Sequence, residues 1–315
     1  MKVIDIIKKN YGKTISIEVE PPILGGSIKQ VCETIYPLVE LGVSYIDITY
    51  HPKDIIKNGN GDVFYQRKRP GTNGVAGAIK NKCEESEVIT VPHVICTGFT
   101  KEDIQDTLIE LSYHGIESIM ALRGDPPKIN GRLTKFKPEK NGYSYAKDLI
   151  KQIVDLKEGK YLEGLKGEPI DFCIGAACYP EGYYKGQTAD ENIEWTKAKV
   201  DSGADYLVTQ LFFNNDAYLK FVEESKIDVP IIPGIFPISL YGHVEKLPAV
   251  FGCEIPDGLI DKIERYRGNE QDIKKIGIEE CIKQCNNLLD NGAPSLHFFA
   301  NRGAPIEEVI KNLYD

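Results

Sequence analysis

Residues 14–50 read TISIEVEPPILGGSIKQVCETIYPLVELGVSYIDITY, a pattern that sets the architecture of the whole chain. Its ends, Thr14–Glu20 and Tyr45–Tyr50, are short β-branched runs, while Ile28–Leu41 between them carries apolar residues at helical spacing. Strand, crossover helix, strand is the repeating unit of a parallel sheet. The unit recurs along the chain. Further strand-like runs lie at Val88–Cys96, Ser118–Leu122, Asp171–Cys178, Tyr206–Phe213, Ile231–Phe236 and Ser295–Ala300. Amphipathic stretches alternate with them at Lys101–His114, Tyr145–Leu156, Asp190–Ser202, Asp216–Ser225 and Gly242–Val250, and Ile306–Leu313 closes the chain. Eight strands followed by helices predict an α/β fold, a closed (β/α)8 TIM barrel in a single domain over residues 1–315. An extra helical pair, Ile255–Tyr266 and Gln271–Leu289, precedes the last strand.

Glycines stand where helices should end in a left-handed residue (Gly42, Gly115, Gly203, Gly292), and Thr100 with Asp103, and Asp190, mark N-caps. Three polar, Gly- and Lys-rich inserts interrupt the rhythm at 53–77, 128–142 and 157–169. The first two follow strand ends, on the face where barrel active sites form. The opening MKVIDIIKKNYGK reads as an amphipathic helix and not as a signal peptide, so a cytoplasmic location is expected.

Composition narrows the function classes. Of 315 residues 42% are apolar and 27% charged, enough for a sizeable core, and no apolar run approaches the ~20 residues of a membrane span. A net charge of −9 without any long basic run argues against nucleic acid. The eight cysteines are scattered, several in strand-like runs (Cys96, Cys173, Cys178), and read as reduced, buried thiols. Neither G-x-G-x-x-G nor G-x-x-x-x-G-K-[ST] occurs, so a dinucleotide would bind by another route. The five histidines are isolated, which predicts no metal site. No strand run contains Lys, which removes Schiff-base aldolases.

Polar residues at strand C-terminal ends point into a barrel's site. Here these are Glu18, Glu20, Thr49, Tyr50, His51, His93, Arg123, Asp125, Tyr179 and Gln210, with Tyr241 and Arg302 later. Alternation puts Glu18 and Glu20 on one face with Ser16; either carboxylate faces the mouth or both are structural. ALRGDPP (121–127) sets Arg123 and Asp125 around a glycine, as a site or as a structural salt bridge. His93 is a core histidine or a ligand contact, and the sole tryptophan, Trp195, reads as packing on a helix.

The runs IEVEPP, YIDITYHP, VPHVIC, IMALRGDPP, AACYPEG, KVDSGADYLVTQLFF, IIPGIFPI and LHFFANR, in this order, resemble methylenetetrahydrofolate reductases over nearly the whole chain. That resemblance implies an FAD-dependent oxidoreductase of one-carbon metabolism and methionine biosynthesis. It would reduce 5,10-methylenetetrahydrofolate to 5-methyltetrahydrofolate with NADH or NADPH by ping-pong exchange on one flavin face. Glu18 matches the family's catalytic acid, which protonates N10 of the folate and so opens its five-membered ring. Such an acid needs a raised pKa. Asp125 matches the carboxylate near flavin and pterin. Gln210, Tyr241 and Arg302 match substrate contacts, and Thr49 a hydroxyl near the nicotinamide. For FAD the matching positions are Tyr50, His93, Arg123, Gly124, Tyr145, Ala146, Tyr179 and Lys199, with Asp125 adjoining. Tyr183 stands where many relatives have His, Asn192 where they have Asp, and Trp195 where some have Asn.

Eukaryotic members of that family also carry a regulatory domain that binds S-adenosylmethionine; the chain stops soon after the eighth strand, so inhibition by that ligand is not expected. A homo-oligomer is expected. The alternative function is a folate-binding flavoprotein subunit fed by a partner protein, without NAD(P)H activity of its own.

Overall fold

Each of the eight β-branched runs forms a strand, and together they close a parallel barrel. The computed structural model describes residues 1–82, 88–182, 187–300 and 304–313. After helix α1 (Val3–Lys9), the elements run β1 (Thr14–Val19), α2 (Ile28–Glu40), β2 (Tyr45–Ile48), β3 (Asp54–Lys57), β4 (Val63–Gln66), α3 (Thr72–Lys82) and β5 (Ile89–Ile95). Next come α4 (Lys101–Tyr113), β6 (Ser118–Leu122), β7 (Lys128–Ile129), β8 (Arg132–Leu133), α5 (Ala146–Lys157), β9 (Cys173–Cys178) and α6 (Ala189–Asp201). The chain continues through β10 (Tyr206–Leu211), α7 (Asn215–Ser225), β11 (Ile231–Ile235), α8 (Gly242–Phe251), α9 (Asp257–Glu264), α10 (Glu270–Asp290), β12 (Ser295–Phe299) and α11 (Ile306–Lys311). Barrel neighbours follow chain order, β1-β2-β5-β6-β9-β10-β11-β12, and β12 pairs with β1 to leave no edge.

Strand alternation sorts the core. Ile15, Ile17 and Val19 of β1 face outward onto Val31, Ile35 and Leu38 of α2 in the main apolar cluster. Inward-facing Tyr45, Val91, Met120, Cys173, Tyr206 and Ile232 form a second cluster with Val3 and Ile7 of α1. The N-terminal helix therefore plugs the bottom of the barrel, where burial of an Ile or Val side chain contributes roughly 1.5–3 kcal/mol. The extra helices α9 and α10 pack with α8 against Leu211, Phe236 and Ile238, above β10 and β11.

The first insert holds a helix that periodicity does not announce. The helix holds two glycines, Gly74 and Gly77, and each costs about 1 kcal/mol there. Yet α3 fills the place after β2, burying Val75, Ala76 and Ile79. Gly77 is required by close approach: a Cβ there would meet the His114 ring at 2.8 Å. The rest of that insert and the second one form a separate sheet in the order β4-β3-β7-β8. Its bridge pairs Ile55 with Ile129, and Asn130 clamps the Lys57 backbone, accepting from its N–H at 2.9 Å and donating to its carbonyl at 3.1 Å. The loops above β2 and β6 are thus tied together.

Gly42, Gly115, Gly203 and Gly292 all have positive φ, and Thr100 caps α4 in a reciprocal pair with Asp103. The cap of α6 is Thr188 with Glu191, not Asp190, which lies within the helix. Seven cysteines among the described residues are free and buried. No helix among these residues is long and apolar enough to cross a membrane.

Candidate active site at the barrel mouth

Glu18 projects inward near the end of β1, opposite Asp47 of β2 and Phe299 of β12. Its side chain is 20% exposed. Burial raises its pKa to about 7; the Thr49 hydroxyl works the other way, and the negative charges of Glu20 and Asp125 add to the rise. A carboxyl in this setting is half protonated at neutral pH, as a proton donor must be. Glu20, just beyond the strand, has a different fate. Its carboxylate takes Arg69 Nη2 at 2.7 Å and lies 3.5 Å from His51 Nε2, so it fastens the first insert to β1.

His93 sits deeper, 5% exposed, with Nε2 at 3.7 Å from Glu18 and 3.8 Å from Asp47. Burial, with smaller effects of His297 and His51, lowers its pKa to about 3, so the ring is neutral. Asp47 and His297, fully buried inside the barrel, complete a cluster that the sequence reading passed over. The signal was available: Asp47 stands between Ile46 and Ile48, as Glu18 stands between Ile17 and Val19. Among the described residues no group of three His, Cys, Asp or Glu side chains is placed to hold a metal ion.

On the far side of the mouth, Gly124 turns the chain after β6 with φ +81°, and a Cβ would meet Ile95 Cβ at 2.9 Å and Thr97 Oγ1 at 3.1 Å. Only glycine suits both conditions. The turn presents Arg123, whose guanidinium lies 5.0 Å from the Phe136 ring, and Asp125, close enough to act on Glu18. Lys199 of α6 donates to Ala177 O at 2.7 Å and lies 5.6 Å from the Tyr179 ring. Burial lowers its pKa to about 8; Cys178 opposes this, and the Arg123 charge adds a smaller downward effect. Two cations and a row of aromatic rings suit a long, anionic, aromatic ligand.

A family model for methylenetetrahydrofolate reductase matches residues 2–314. The chain belongs to the methylenetetrahydrofolate reductase family. It is 27% identical to the 5,10-methylenetetrahydrofolate reductase of Salmonella typhimurium, over 94% of this chain and 88% of that protein. It is 31% identical to a probable methylenetetrahydrofolate reductase (NADPH) of Caenorhabditis elegans, over 95% of this chain and 42% of the relative. It is 32% identical to methylenetetrahydrofolate reductase (NADH) 1 of Arabidopsis thaliana, over 95% and 48%. The chain thus spans less than half the length of these worm and plant relatives. Among solved structures, a Clostridium thermocellum protein described as binding two copies of 5-methyl-5,6,7,8-tetrahydrofolic acid shares the barrel fold. Its TM-score is 0.59 at 16% identity, covering 98% of this chain and 96% of that one.

Eleven of the described positions matched to the family fall into two groups in space. Glu18, Thr49, His93 and Asp125 converge on the mouth, with Thr49 Oγ1 donating to Val19 O at 3.3 Å. Arg123, Gly124, Tyr145, Ala146, Tyr179, Asn192 and Lys199 line the side between β6 and α6. There Asn192 donates to Tyr179 O, and the half-exposed Tyr145 and Trp195 rings stack at 5.1 Å. Trp195 is therefore not core packing. Tyr50 lies edge-on to Phe99 at 5.3 Å, with its hydroxyl accepting from Arg67 at 3.4 Å. Gln210 is half-buried, its Oε1 accepting from Leu211 N at 2.9 Å. Tyr241 lies at the start of α8, donating to Glu264 at 2.5 Å beneath Arg267. Tyr183 and Arg302 lie outside the described residues. A cavity of about 740 Å³ opens beside the β1 end, but Glu18, His93 and Asp125 do not line it.

Proposed function

We propose that the chain reduces 5,10-methylenetetrahydrofolate to 5-methyltetrahydrofolate at this mouth, using FAD and NADH or NADPH. The single observation that carries the reading is the place of the Glu18 carboxyl, turned inward at the end of β1 and 20% exposed at the barrel mouth, where burial raises its pKa to about 7. The residues present fit the dinucleotide. Gly124 leaves room that a Cβ would fill, Arg123 and Lys199 suit a pyrophosphate, and Tyr145 and Trp195 offer exposed ring faces. When bound, FAD would supply the hydride carrier between nicotinamide and folate.

The chain's own residues supply the rest. Glu18 gives its proton to N10 of the folate, opening the ring. Asp125 places negative charge opposite the cation that results and holds the pterin by hydrogen bonds. Gln210, once released from its own backbone, offers an amide to the substrate. His93, neutral beside Glu18, does not compete for that proton.

The test is spectroscopic. Purified protein incubated with FAD should show an oxidised-flavin spectrum, bleach anaerobically with NADH or NADPH, and recover with methylenetetrahydrofolate. A protein that takes up no FAD overturns the proposal, and one reduced only through an added partner protein overturns the nicotinamide step.

A further inference from the structure

Beneath Glu18, the reaction just described leaves three inward-facing side chains without a part: Asp47 on β2, His297 on β12 and Ser16 on β1. They are 0, 1 and 0% exposed. Neither Asp47 oxygen has a hydrogen-bond partner among the described residues, although each faces an imidazole. Oδ1 lies 3.8 Å from His93 Nε2 and Oδ2 lies 3.6 Å from His297 Nδ1, which in turn is 2.8 Å from Ser16 Oγ. The same His93 Nε2 stands 3.7 Å from Glu18 Oε2. One ring nitrogen is therefore placed between two carboxyls at almost equal distance.

A neutral imidazole carries a single N–H, and its neighbours decide which nitrogen holds it. With hydrogen on Nε2, His93 can donate to either carboxyl. With hydrogen on Nδ1, it presents a lone pair to both acids and draws the Glu18 proton toward itself. The choice matters because most of the surroundings resist ionisation of Glu18. Glu20 and Asp125 add negative potential at the mouth, His51 and His297 are near enough to act on His93, and the Tyr45 and Tyr206 hydroxyls are near enough to feel Asp47. Thr49 favours the Glu18 carboxylate, and a His93 N–H would do the same.

We propose that Asp47 is a positioning residue for the proton donor: its Oδ1, 3.8 Å from His93 Nε2 and so beyond hydrogen-bond distance, keeps the ring hydrogen on Nε2, aimed between the two carboxyls, and a small movement of the ring closes either contact to a hydrogen bond. The inference rests on the reading of Glu18 as the donor. During transfer the Glu18 O–H bond breaks and an N–H bond forms on the folate. The electron pair left on Oε2 then accepts the His93 Nε2–H, which swings over from Asp47. No proton leaves His93, and Asp47 does not ionise. Burial favours un-ionised Asp47, whose carbonyl oxygen is the acceptor. An asparagine can fill the same role.

The first experiment is 15N NMR of the histidine rings in the protein without flavin or folate, with His93 assigned through His93→Gln. His93 should carry its proton on Nε2 in the wild type and in Asp47→Asn, and on Nδ1 in Asp47→Leu; Asp47→Ala serves if the leucine variant does not fold. The second is the pH dependence of the two half-reactions. Asp47→Leu should slow folate reduction about tenfold or more and move its pH limb up by ~1 unit, while flavin reduction by the nicotinamide is unchanged. Asp47→Asn should stay within about threefold of wild type in both. An Nδ1–H ring in the wild type, or an Asn variant that behaves like the Leu variant, overturns the proposal. Because the NMR arm needs neither cofactor nor substrate, failure of the folate reading alone would appear as correct tautomers in an inactive protein.

Discussion

Replacing Glu18 by Gln removes one titrating group from the barrel mouth and leaves its shape, so its effect should depend on pH in a calculable way. The folded pKa is about 7 and the ordinary value 4.5. Between those values the folded protein binds the proton and the unfolded chain does not. The stability linked to this group is therefore fully present below pH 4.5 and is lost as pH rises through 7. A difference of roughly 2.5 units corresponds to about 3 kcal/mol. Urea denaturation at intervals from pH 5 to 8.5 should show Glu18→Gln gaining on wild type by about 2.5 kcal/mol, with most of the gain made by pH 7. The same shift sets the catalytic side of the argument. A carboxyl at its ordinary pKa would be protonated in roughly one molecule in 300 at pH 7, whereas here about half carry the proton. Stopped-flow measurement of the separate half-reactions should find the folate step slowed about 10²–10⁴-fold and the nicotinamide step little changed. A stability difference that is flat from pH 5 to 8.5 would show that Glu18 titrates normally, and the donor argument would fall with it.

Three further substitutions test how the site is supported. Gly124→Ala meets both a positive φ and the Ile95 side chain; it should cost about 1–3 kcal/mol in urea denaturation and weaken flavin retention on a desalting column. Asn130→Ala deletes the clamp on Lys57 and should cost about 1–2 kcal/mol; limited proteolysis should then cut faster within 53–66 and 128–133 while the barrel resists. Ile7→Ala hollows the plug beneath the barrel and should cost about 2–5 kcal/mol, read as a lowered melting temperature with FAD uptake retained at 20 °C.

The barrel was legible because its strands are buried on both faces and carry β-branched runs that few loops imitate. Ser118–Leu122 falls where composition put it, and the other seven strands differ by a few terminal residues at most. Helix α3 was not legible, since its formation rests on a tertiary contact. Gly77 lets the helix approach His114, and local propensity argues against the very residue that packing requires. The sheet joining the first two inserts was hidden for a similar reason. Its pairing of β3 with β7 links residues more than 70 apart through a single bridge, and no local pattern encodes such a contact.

The interior cluster is a different case, because its signal was local and was read on one strand only. In this barrel the outer faces of β1 and β2 lie under helices, so a lone carboxylate between two aliphatic residues has to point inward. Ile17-Glu18-Val19 and Ile46-Asp47-Ile48 obey the same rule, and the register sets the two acids directly opposite each other. Two carboxyls that close, shielded from water, do not both ionise readily; Glu18 adds to the rise in the Asp47 pKa. Of the two, Glu18 is the one that reaches the mouth and keeps a partly exposed side chain. The division of labour we propose, a donor at the rim and an un-ionised partner below it, therefore follows from depth along the barrel axis.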